Sequence, residues 1–542
     1  MADETPMAAS PAKASGVSGR LWILVLLALL LIFSAAVRFR VRNAAFERDE
    51  GEFAYAGQLL LQGIPPYQLA YNMKFPGVYL AYAAIMAMFG QSVSGVHLGF
   101  IFVNACGIVL VYLLGARLAG RMAGLVAAAI YTYASLSQGF LGTSAHATQF
   151  VVAAALGGLL LLLRSLERRS LAGIFFSGVL LGVSILMKQH GVFFAVFAGL
   201  YLLYREIESM ERSQLIPRLA TFIAGVFLPL GLTGLWLWRA GVFPKFWFWT
   251  IQYAREYASE YHGLAAMWDR ISHLAPGTIW VLLGASVPGL VFLWRRADRS
   301  TAVFATGLLI FSVAAVFPSF YFWAHYFILP LPAAAILSGV TVASAAEWFR
   351  REGSKLGQAV PFLLCAGALA WGVFQERELF FICPPADIPH LLYGSNQPFP
   401  ESIPIAEYLQ AHTQPDARIA VVGSEPQIYF YAQRHSATGY IYTYGLMEPQ
   451  PYAAQMQEEM IDEIEAGHPE YLVWVRLPAS WLPHADSNLS IIQWVQKYVT
   501  SRCQLVGAVD MTGEKSAYYW DDEARAHEAT SAILVFKRVS SE

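Results

Sequence analysis

Long apolar runs alternate with short polar segments over the first two thirds of the chain, and this pattern predicts membrane-spanning helices. A helix needs about 20 predominantly apolar residues to cross a hydrocarbon core of about 30 Å. The pattern predicts eleven spans, at residues 21–37, 98–116, 122–141, 147–163, 171–187, 190–204, 219–238, 275–294, 301–317, 325–345 and 357–374. We therefore expect a polytopic α-helical membrane domain over residues 20–375.

Two shorter helices are expected in the loop that follows the first span, residues 39–97. The apolar segment at residues 77–90 has 14 residues, which is too few to cross the core, so we interpret it as an interfacial helix. The segment from Phe53 to Leu61, which follows the charged cluster at residues 48–52, predicts a short amphipathic helix. Such a helix is expected to lie along the membrane surface.

Basic residues in the short loops predict the orientation. If residues 77–90 do not cross the membrane, five basic clusters fall on the cytoplasmic side, as the positive-inside rule requires. The arginines that follow the first span oppose this orientation, but one cluster is outweighed by five. We expect a cytoplasmic N-terminus and an extracytoplasmic C-terminal domain. The five clusters are Arg117 and Arg121; Arg164, Arg168 and Arg169; Arg205, Arg212 and Arg218; Arg295, Arg296 and Arg299; and Arg350, Arg351 and Lys355.

Beyond residue 375 the pattern changes to short helices alternating with short strands. Helices are predicted at residues 405–412, 426–431 and 452–466, and strands at residues 418–422, 471–475, 505–509 and 532–536. This alternation predicts a soluble extracytoplasmic α/β domain over residues 376–542. Gly423 and Ser424 follow a strand as a phosphate loop would, but no glycine-rich fingerprint accompanies them, so nucleotide binding is not expected.

Composition and charge support the same division. Hydrophobic residues make up 56% of the 542 residues and charged residues 14%, against about 25% charged in soluble domains. The first 375 residues carry 26 basic and 16 acidic side chains, and the remainder carries 10 and 22. A basic membrane domain is therefore followed by an acidic one, and no nucleic-acid partner is expected.

The N-terminus and the cysteines say little about function. Residues 1–19 show no periodicity and are expected to be a disordered cytoplasmic tail. Cys106 and Cys365 fall within predicted spans, while Cys383 and Cys503 share the C-terminal domain. These last two cysteines could pair or stay separate thiols, and sequence alone leaves both alternatives open.

The loop after the first span holds the candidate chemistry. The carboxylates Asp49 and Glu50 follow Arg48, and the same loop carries Tyr67 and Lys74. One acidic residue at a membrane face is more often a solvated flank than a catalyst. Membrane insertion alone does not explain a carboxylate pair, a Pro-Pro-Tyr turn and a lysine in this order, so we interpret the loop as a site for group transfer from a lipid carrier.

These motifs resemble those of the GT-C glycosyltransferases that use a polyprenyl-phosphate sugar. The similarity is to the branch of the protein O-mannosyltransferases and the lipid A aminoarabinose transferase, which is glycosyltransferase family 39-like. It covers roughly residues 20–345. The residues that carry it are Asp49 and Glu50, Ala56, Tyr67, Lys74, Pro76, Phe89 and Gly90, Gly182 to Lys188, His325 and Tyr326, Leu329 and Pro330, and Pro332.

The resemblance implies a GT-C fold and an inverting transfer of a sugar to an acceptor hydroxyl at the outer membrane face. Asp49 would act as the general base, with Glu50 beside it as a second catalytic carboxylate. Lys74, Arg48 and Lys188 would bind the donor phosphate, although Lys188 at a membrane face could equally be a lysine that snorkels to the interface. Tyr55, Tyr67, His325 and Tyr326 would line the substrate cavity.

The same resemblance implies the partners and the location. They are a polyprenyl-phosphate sugar donor, membrane lipids, and a glycan, lipid or protein acceptor. The protein is expected to be integral to a bacterial inner (plasma) membrane.

A metal site is left open by departures from the family pattern. Where relatives often carry an acidic residue, residues 142–149 contain none, and Met73 precedes Lys74. His146 and His325 are weak candidate ligands for a divalent metal, because a lone histidine near a membrane face is more often a hydrogen-bonded interfacial residue.

Two other functions compete with this interpretation. A transporter or flippase of a lipid-linked anion, with a soluble sensing domain, would also explain arginines in the loop. It would require paired ionisable groups near the membrane midplane, and the predicted spans contain almost none. A ligase that moves whole oligosaccharides would keep the same class of site.

Overall fold

The computed structural model describes residues 15–209, 212–259, 268, 272, 277–318, 320–512, 515–528 and 531–539. A helical domain reaches Gln375 and an α/β domain follows it. Of the predicted N-terminal tail, residues 1–14 lie outside the described residues, and residues 15–19 belong to the first helix.

The helical domain contains sixteen described α-helices, and one-turn 3₁₀ and π-helices lie between some of them. They are α1 (Ser15–Arg40), α2 (Arg48–Leu61), α3 (Gly77–Phe89), α4 (Val93–Ala119), α5 (Arg121–Ala134), α6 (Ala147–Arg168), α7 (Leu171–Met187), α8 (Gly191–Glu208), α9 (Arg212–Arg239), α10 (Phe243–Trp247), α11 (Ala254–Ser259), α12 (Gly277–Gly284), α13 (Ser286–Arg296), α14 (Arg299–Ala314), α15 (Leu331–Arg351) and α16 (Lys355–Gln375).

The predicted polytopic membrane class is confirmed, whereas the count of eleven spans is not. Seven helical segments in the described part of the chain are long and apolar enough to cross a membrane. Each of the other predicted spans also contains a helix, but α5 has only 14 residues and α7 only 17. The span predicted from residue 325 begins later, because a 3₁₀ turn precedes α15. The seven are Leu21–Arg40, Val93–Ala119, Ala147–Arg168, Ser213–Arg239, Gly277–Arg296, Leu331–Arg351 and Lys355–Gln375.

Helix α2 begins at Arg48, before the predicted amphipathic segment, and is not an exposed surface helix. A capping box between Glu47 and Glu50 satisfies the first backbone N–H groups and starts the helix. Eleven of its 14 residues are buried, because α2 packs between α3 and the C-terminal domain. The polar face that suggested a membrane surface is therefore covered by protein.

The C-terminal domain is an α/β unit built on one mixed sheet. Its helices are α17 (Ile388–Tyr393), α18 (Ser402–His412), α19 (Gln427–Ala432), α20 (Tyr444–Met447), α21 (Ala453–Gly467) and α22 (Ser490–Arg502). Its strands are β1 (Arg418–Val422), β2 (His435–Ser436), β3 (Tyr471–Val475), β4 (Cys503–Thr512), β5 (Lys515–Trp520) and β6 (Ile533–Arg538). The strand order is β2-β1-β3-β6-β4-β5, with β1 parallel to both β2 and β3.

The predicted α/β class of this domain is confirmed. The predicted strands coincide with β1 and β3 and overlap β4 and β6. Sequence patterns missed β2, β5, α17, α20 and α22. The two-residue strand β2 is too short to show a pattern, and β5 is an edge strand with side chains that are mostly half-buried.

The two domains share a hydrophobic core. Phe53 and Tyr55 of α2 belong to the same buried cluster as Ile428 and Tyr429 of α19. The Tyr55 ring stacks on that of Tyr429, with the ring centroids 5.1 Å apart. Helix α2 is thus a structural part of both domains.

Candidate active site

A cavity of about 740 Å³ lies between loops of the helical domain and the C-terminal domain. A cavity of this size is large enough for a small-molecule substrate. The helical domain contributes charged and imidazole side chains to its wall, and the C-terminal domain contributes tyrosines and a carboxylate. Among the lining residues are Glu47, Asp49, Lys74, His146, Lys188, His325 and Tyr326, and, from the C-terminal domain, Tyr442, Tyr444 and Glu448.

Lys74 is held between two carboxylates on the first turn of α2. Its Nζ lies 2.7 Å from Oδ1 of Asp49 and 2.9 Å from Oε2 of Glu52. Glu52 is fully buried and also accepts hydrogen bonds from Asn72, at 2.8 Å, and from the Tyr79 hydroxyl, at 2.6 Å. This network fixes the position of Lys74 beside Asp49.

Both members of the Asp49–Lys74 pair carry charge at physiological pH. Burial alone would raise the pKa of Asp49, but the nearby positive charges, above all that of Lys74, lower it to about 2. Burial would likewise lower the pKa of Lys74, but Asp49 and Glu52 raise it above its ordinary value. The site therefore presents an ionised carboxylate to the cavity.

Lys188 follows α7 and faces the same cavity. Its Nζ lies 3.4 Å from Nε2 of His325 and 4.0 Å from the centre of the Tyr326 ring. The ammonium thus contacts an imidazole and an aromatic ring rather than a carboxylate. Burial, with a smaller contribution from the charge of Lys74, lowers the pKa of Lys188 to about 7. Its protonation therefore changes near neutral pH.

Glu50 lies on a different side of α2 from Asp49 and is not among the residues that line the cavity. Its Oε1 accepts hydrogen bonds from the backbone N–H of Ala145, at 2.6 Å, and pairs with Nε2 of His97, at 2.9 Å. The carboxylate therefore joins α2 to α4 and to the loop that precedes α6.

The tyrosines of the loop are also structural neighbours of the site rather than part of its wall. The Tyr55 hydroxyl accepts a hydrogen bond from the backbone N–H of Ser436, at 2.8 Å. The Tyr67 hydroxyl donates to the backbone carbonyl of Lys74, at 2.7 Å. The structure places His325 and Tyr326 in the wall, as expected, but neither Tyr55 nor Tyr67.

Arg48 borders the cavity, but its guanidinium binds the C-terminal domain. It pairs with Glu425 at 2.9 Å and donates to the Tyr444 hydroxyl at 2.6 Å. It also donates to the backbone carbonyl of Ser424 and to the side-chain oxygen of Gln397. These partners occupy the N–H groups of Arg48 that were expected to bind the donor phosphate.

The histidines form a cluster with Asp49 that matches a metal-ligand set. One ligand atom from each of Asp49, His146 and His325 lies within 4.8 Å of the other two, and the two imidazole rings stack 4.2 Å apart. Burial lowers the pKa of His146 to about 4, so its ring is neutral at physiological pH. Two neutral imidazoles and a carboxylate suit a divalent transition metal. Lys74 and Lys188 already place positive charge against this cluster.

Several cavity residues had no signal in the sequence. Glu47 lies 3.6 Å from Nδ1 of His146, and burial together with the charges of Asp49 and Glu50 raises its pKa well above the ordinary value. Its place in a capping box with Glu50 is visible in the sequence, but its position in the cavity is not. Tyr442 and Glu448 lie almost 400 residues away along the chain from Asp49, and only the folded structure brings them there.

The class that this architecture defines is the GT-C glycosyltransferase fold, as the resemblance in the sequence predicted. Residues 73–232 match the family described as dolichyl-phosphate-mannose-protein mannosyltransferase.

Two solved structures share the fold across most of the chain. ArnT from Cupriavidus metallidurans bound to undecaprenyl phosphate is 17% identical, with a TM-score of 0.60 over 96% of this chain and 98% of that chain. The oligosaccharyltransferase AglB from Archaeoglobus fulgidus, in complex with an inhibitory peptide and a dolichol-phosphate, is 12% identical, with a TM-score of 0.54 over 93% of this chain and 75% of that one. A comparison with curated protein sequences gives no match.

Proposed function

We propose that the protein transfers a sugar from a polyprenyl-phosphate donor to an acceptor hydroxyl at the outer face of a membrane, with inversion at the transferred carbon. The observation that carries this proposal is the cavity wall in which ionised Asp49 lies beside Lys74 and Lys188. A carboxylate can take the proton of an attacking hydroxyl, and ammonium groups can stabilise a departing phosphate.

Asp49 is the proposed general base. The acceptor oxygen attacks the anomeric carbon from the side opposite the phosphate and gives its proton to the Asp49 carboxylate. The bond from that carbon to the phosphate oxygen breaks, and the electron pair stays on the phosphate. A carboxylate with a pKa of about 2 is ionised whenever an acceptor arrives. A positioned general base contributes about 10²- to 10⁴-fold to the rate, and most when its pKa lies near the working pH.

Lys188 and Lys74 are the proposed phosphate contacts. Two of the three N–H donors of Lys74 point to Asp49 and Glu52, which leaves one for a phosphate oxygen. The hydrogen bond of Lys188 is to His325 and its ring contact is with Tyr326, neither of which is a carboxylate. Its ammonium can therefore pair with the donor phosphate. Charge-assisted contacts of this type are stronger than neutral hydrogen bonds.

An apolar groove next to the cavity offers a place for the lipid chain. It shares Phe193 and Pro318 with the cavity and is open on its outer side, where α14 faces the surroundings. Its lining is apolar throughout: Phe193, Leu309, Ile310, Val313, Ala314, Phe317, Pro318 and Phe320. A prenyl chain could lie in this groove while its phosphate reaches Lys188, and the related ArnT structure contains undecaprenyl phosphate.

The remaining parts of this proposal are an extracytoplasmic C-terminal domain, a bacterial inner membrane and a glycan, lipid or protein acceptor. The orientation rests on the basic clusters of the loops, and the acceptor rests on the resemblance of the site motifs to those of the GT-C glycosyltransferases.

A panel of lipid-linked sugar donors distinguishes the proposed glycosyltransferase from the rival transporter. Purified protein in lipid nanodiscs is given polyprenyl phosphates that carry radiolabelled sugars, with a membrane extract as the source of acceptors. We expect one donor to lose its sugar to an acceptor and to release polyprenyl phosphate. If the protein in liposomes moves a fluorescent lipid-linked sugar across the bilayer and never cleaves it, the transporter replaces the enzyme.

A further inference from the structure

The C-terminal domain has a crevice of the kind that binds ligands in other α/β proteins. From β1 the chain crosses to β2, which pairs with one edge of β1. It then returns to β3, which pairs with the other edge of β1. Where strand order reverses in this way, a crevice opens outside the carboxyl ends of the two parallel strands. Here the crevice is bounded by residues 423–426 after β1 and residues 476–480 after β3.

In this protein the crevice holds a side chain of the helical domain. The Arg48 guanidinium pairs with Oε1 of Glu425 and donates to the carbonyl of Ser424, both in the loop after β1. The other Glu425 oxygen accepts from Ser480 Oγ, at 2.6 Å, which lies after β3. Both sides of the crevice therefore contribute to the binding of one arginine. A soluble ligand cannot occupy the same place.

This contact is a buried ion pair. The Arg48 side chain is 6% exposed and that of Glu425 is 0% exposed. A buried charge that loses its partner is strongly destabilising, whereas the removal of both charges together is often close to neutral. The pair therefore favours the observed position of the domains, because a shift that separates the two charges while both stay buried leaves them unpaired.

The same contact controls the position of Asp49. Arg48 is the first residue of α2, and Asp49 follows it directly. One turn later Gly51 packs against Gln427, so closely that an added Cβ would lie 2.7 Å from the Gln427 Cβ. The first turn of α2 is thus fixed to the C-terminal domain at two points on either side of the carboxylate that faces Lys74.

We propose that Glu425 is a positioning residue, and that the crevice of the C-terminal domain binds Arg48 in order to hold Asp49 against Lys74. The part of this inference that concerns catalysis rests on the proposed function. The part that concerns the position of α2 does not.

Hydrogen exchange in the full-length protein tests the position of α2. The variant is Glu425→Gln. The matched control is Glu459→Gln, which removes the partner of Lys245. The Lys245–Glu459 pair also joins the two domains, but it is far less buried than Arg48–Glu425. We expect amide exchange in residues 46–62 to become at least about tenfold faster in Glu425→Gln and to stay unchanged in the control. Unchanged exchange in Glu425→Gln overturns the inference.

Turnover separates positioning from simple stabilisation. In Arg48→Gln/Glu425→Gln neither charge is left unpaired, so we expect the melting temperature to recover towards that of the wild type. We expect kcat to be about 100-fold below that of the wild type in Glu425→Gln and in the double variant, because a displaced catalytic group lowers the rate. The donor KM should stay within about twofold of the wild-type value. Arg48→Lys, which keeps a charge for Glu425, should recover part of kcat.

Each result decides the inference. If the double variant regains both stability and kcat, Glu425 has only a structural role and the inference is wrong. If the wild type transfers no sugar from any donor, the proposed function fails, and exchange in residues 46–62 alone decides whether the crevice holds α2.

Discussion

Three carboxylates at the start of α2, those of Asp49, Glu50 and Glu52, have different roles in the site. Lys74 is shared by Asp49, which faces the cavity, and Glu52, which is fully buried. Burial raises the pKa of Glu52, whereas the charge of Lys74 lowers that of Asp49, so the carboxylate that faces the cavity is the ionised one. The carboxylate that the sequence placed beside Asp49, namely Glu50, instead binds His97 and a backbone N–H. Neighbours in sequence thus have different roles because successive helical residues point in different directions.

Lys188 should make donor binding depend on pH. Its pKa is about 7 in the empty cavity, and a phosphate binds the charged form. Below pH 7 the ammonium is present before the donor arrives; above pH 7 a proton must be taken up, so affinity falls. We expect the donor Kd to rise up to about tenfold per pH unit between about pH 7 and 9. Titrations of the wild type by isothermal calorimetry measure this slope.

The matched variants for that experiment are Lys188→Met and Lys245→Met. The first removes the titrating group, so we expect weak binding that no longer changes over this pH range. The second removes a lysine that pairs with Glu459 at the domain boundary and should keep the slope of the wild type. An equal slope in Lys188→Met would show that another group titrates.

Transfer should not require a metal ion. Asp49, His146 and His325 have suitable ligand atoms, but Lys74 and Lys188 already supply positive charge at that place, and a dication would repel both. We expect prolonged dialysis against EDTA to leave turnover within about twofold of its initial value. A loss of activity that Mn²⁺ or Zn²⁺ restores would make Asp49 a metal ligand and would contradict its role as a base.

At the scale of elements, α2 depends on close contact with α19. Gly51 has no side chain, and this allows the backbone of α2 to approach Gln427. A Cβ at this position would lie 2.8 Å from the backbone nitrogen of Gln427. Since backbone atoms of a packed helix cannot move aside easily, one or both helices would have to shift.

The substitution Gly51→Ala should therefore destabilise the protein. We expect a loss of about 1–3 kcal/mol in the free energy of unfolding, as overpacking of a core usually causes, together with reduced turnover. Thermal unfolding in detergent measures the change. The matched control is Gly231→Ala in α9, where no atom lies within 4 Å of the added Cβ and where alanine favours the helix by about 1 kcal/mol. Equal melting temperatures of Gly51→Ala and Gly231→Ala would contradict the close contact between Gly51 and Gln427.

Elements with a clear period could be predicted from the sequence. The apolar runs located α1, α4 and α6, and the alternation beyond residue 375 located β1 and β3. A helix was predicted at residues 53–61, but the start of α2 at Arg48 was not. Its burial was not predicted either, because the residues that cover it lie near residue 430 in the chain. The number of spans was not confirmed, because helices such as α5 are too short to satisfy a length criterion by themselves.

At the scale of the whole molecule, the site is made by two domains. Asp49 and Lys74 could be found because both lie in one loop, and Lys188 and His325 because their segments resemble a known family. No local pattern marks Tyr442 or Glu448 as cavity residues. They reach the cavity only because the C-terminal domain docks on α2.

Ion pairs contribute to the docking of the two domains. The C-terminal domain contacts the helical domain through Arg48–Glu425 and Lys245–Glu459. The extracytoplasmic location of the C-terminal domain stays a prediction from the charge of the loops.

The most direct test of the account is the turnover of purified Asp49→Asn. Asparagine keeps an oxygen that can accept from Lys74 but cannot take a proton from the acceptor, so the fold should persist while kcat falls by about 10²- to 10⁴-fold. Asp416→Asn, which changes an exposed carboxylate of the C-terminal domain, is the control and should turn over normally. If folded Asp49→Asn transfers sugar from a polyprenyl-phosphate donor as fast as the wild type, Asp49 is not the base and the proposed mechanism is wrong.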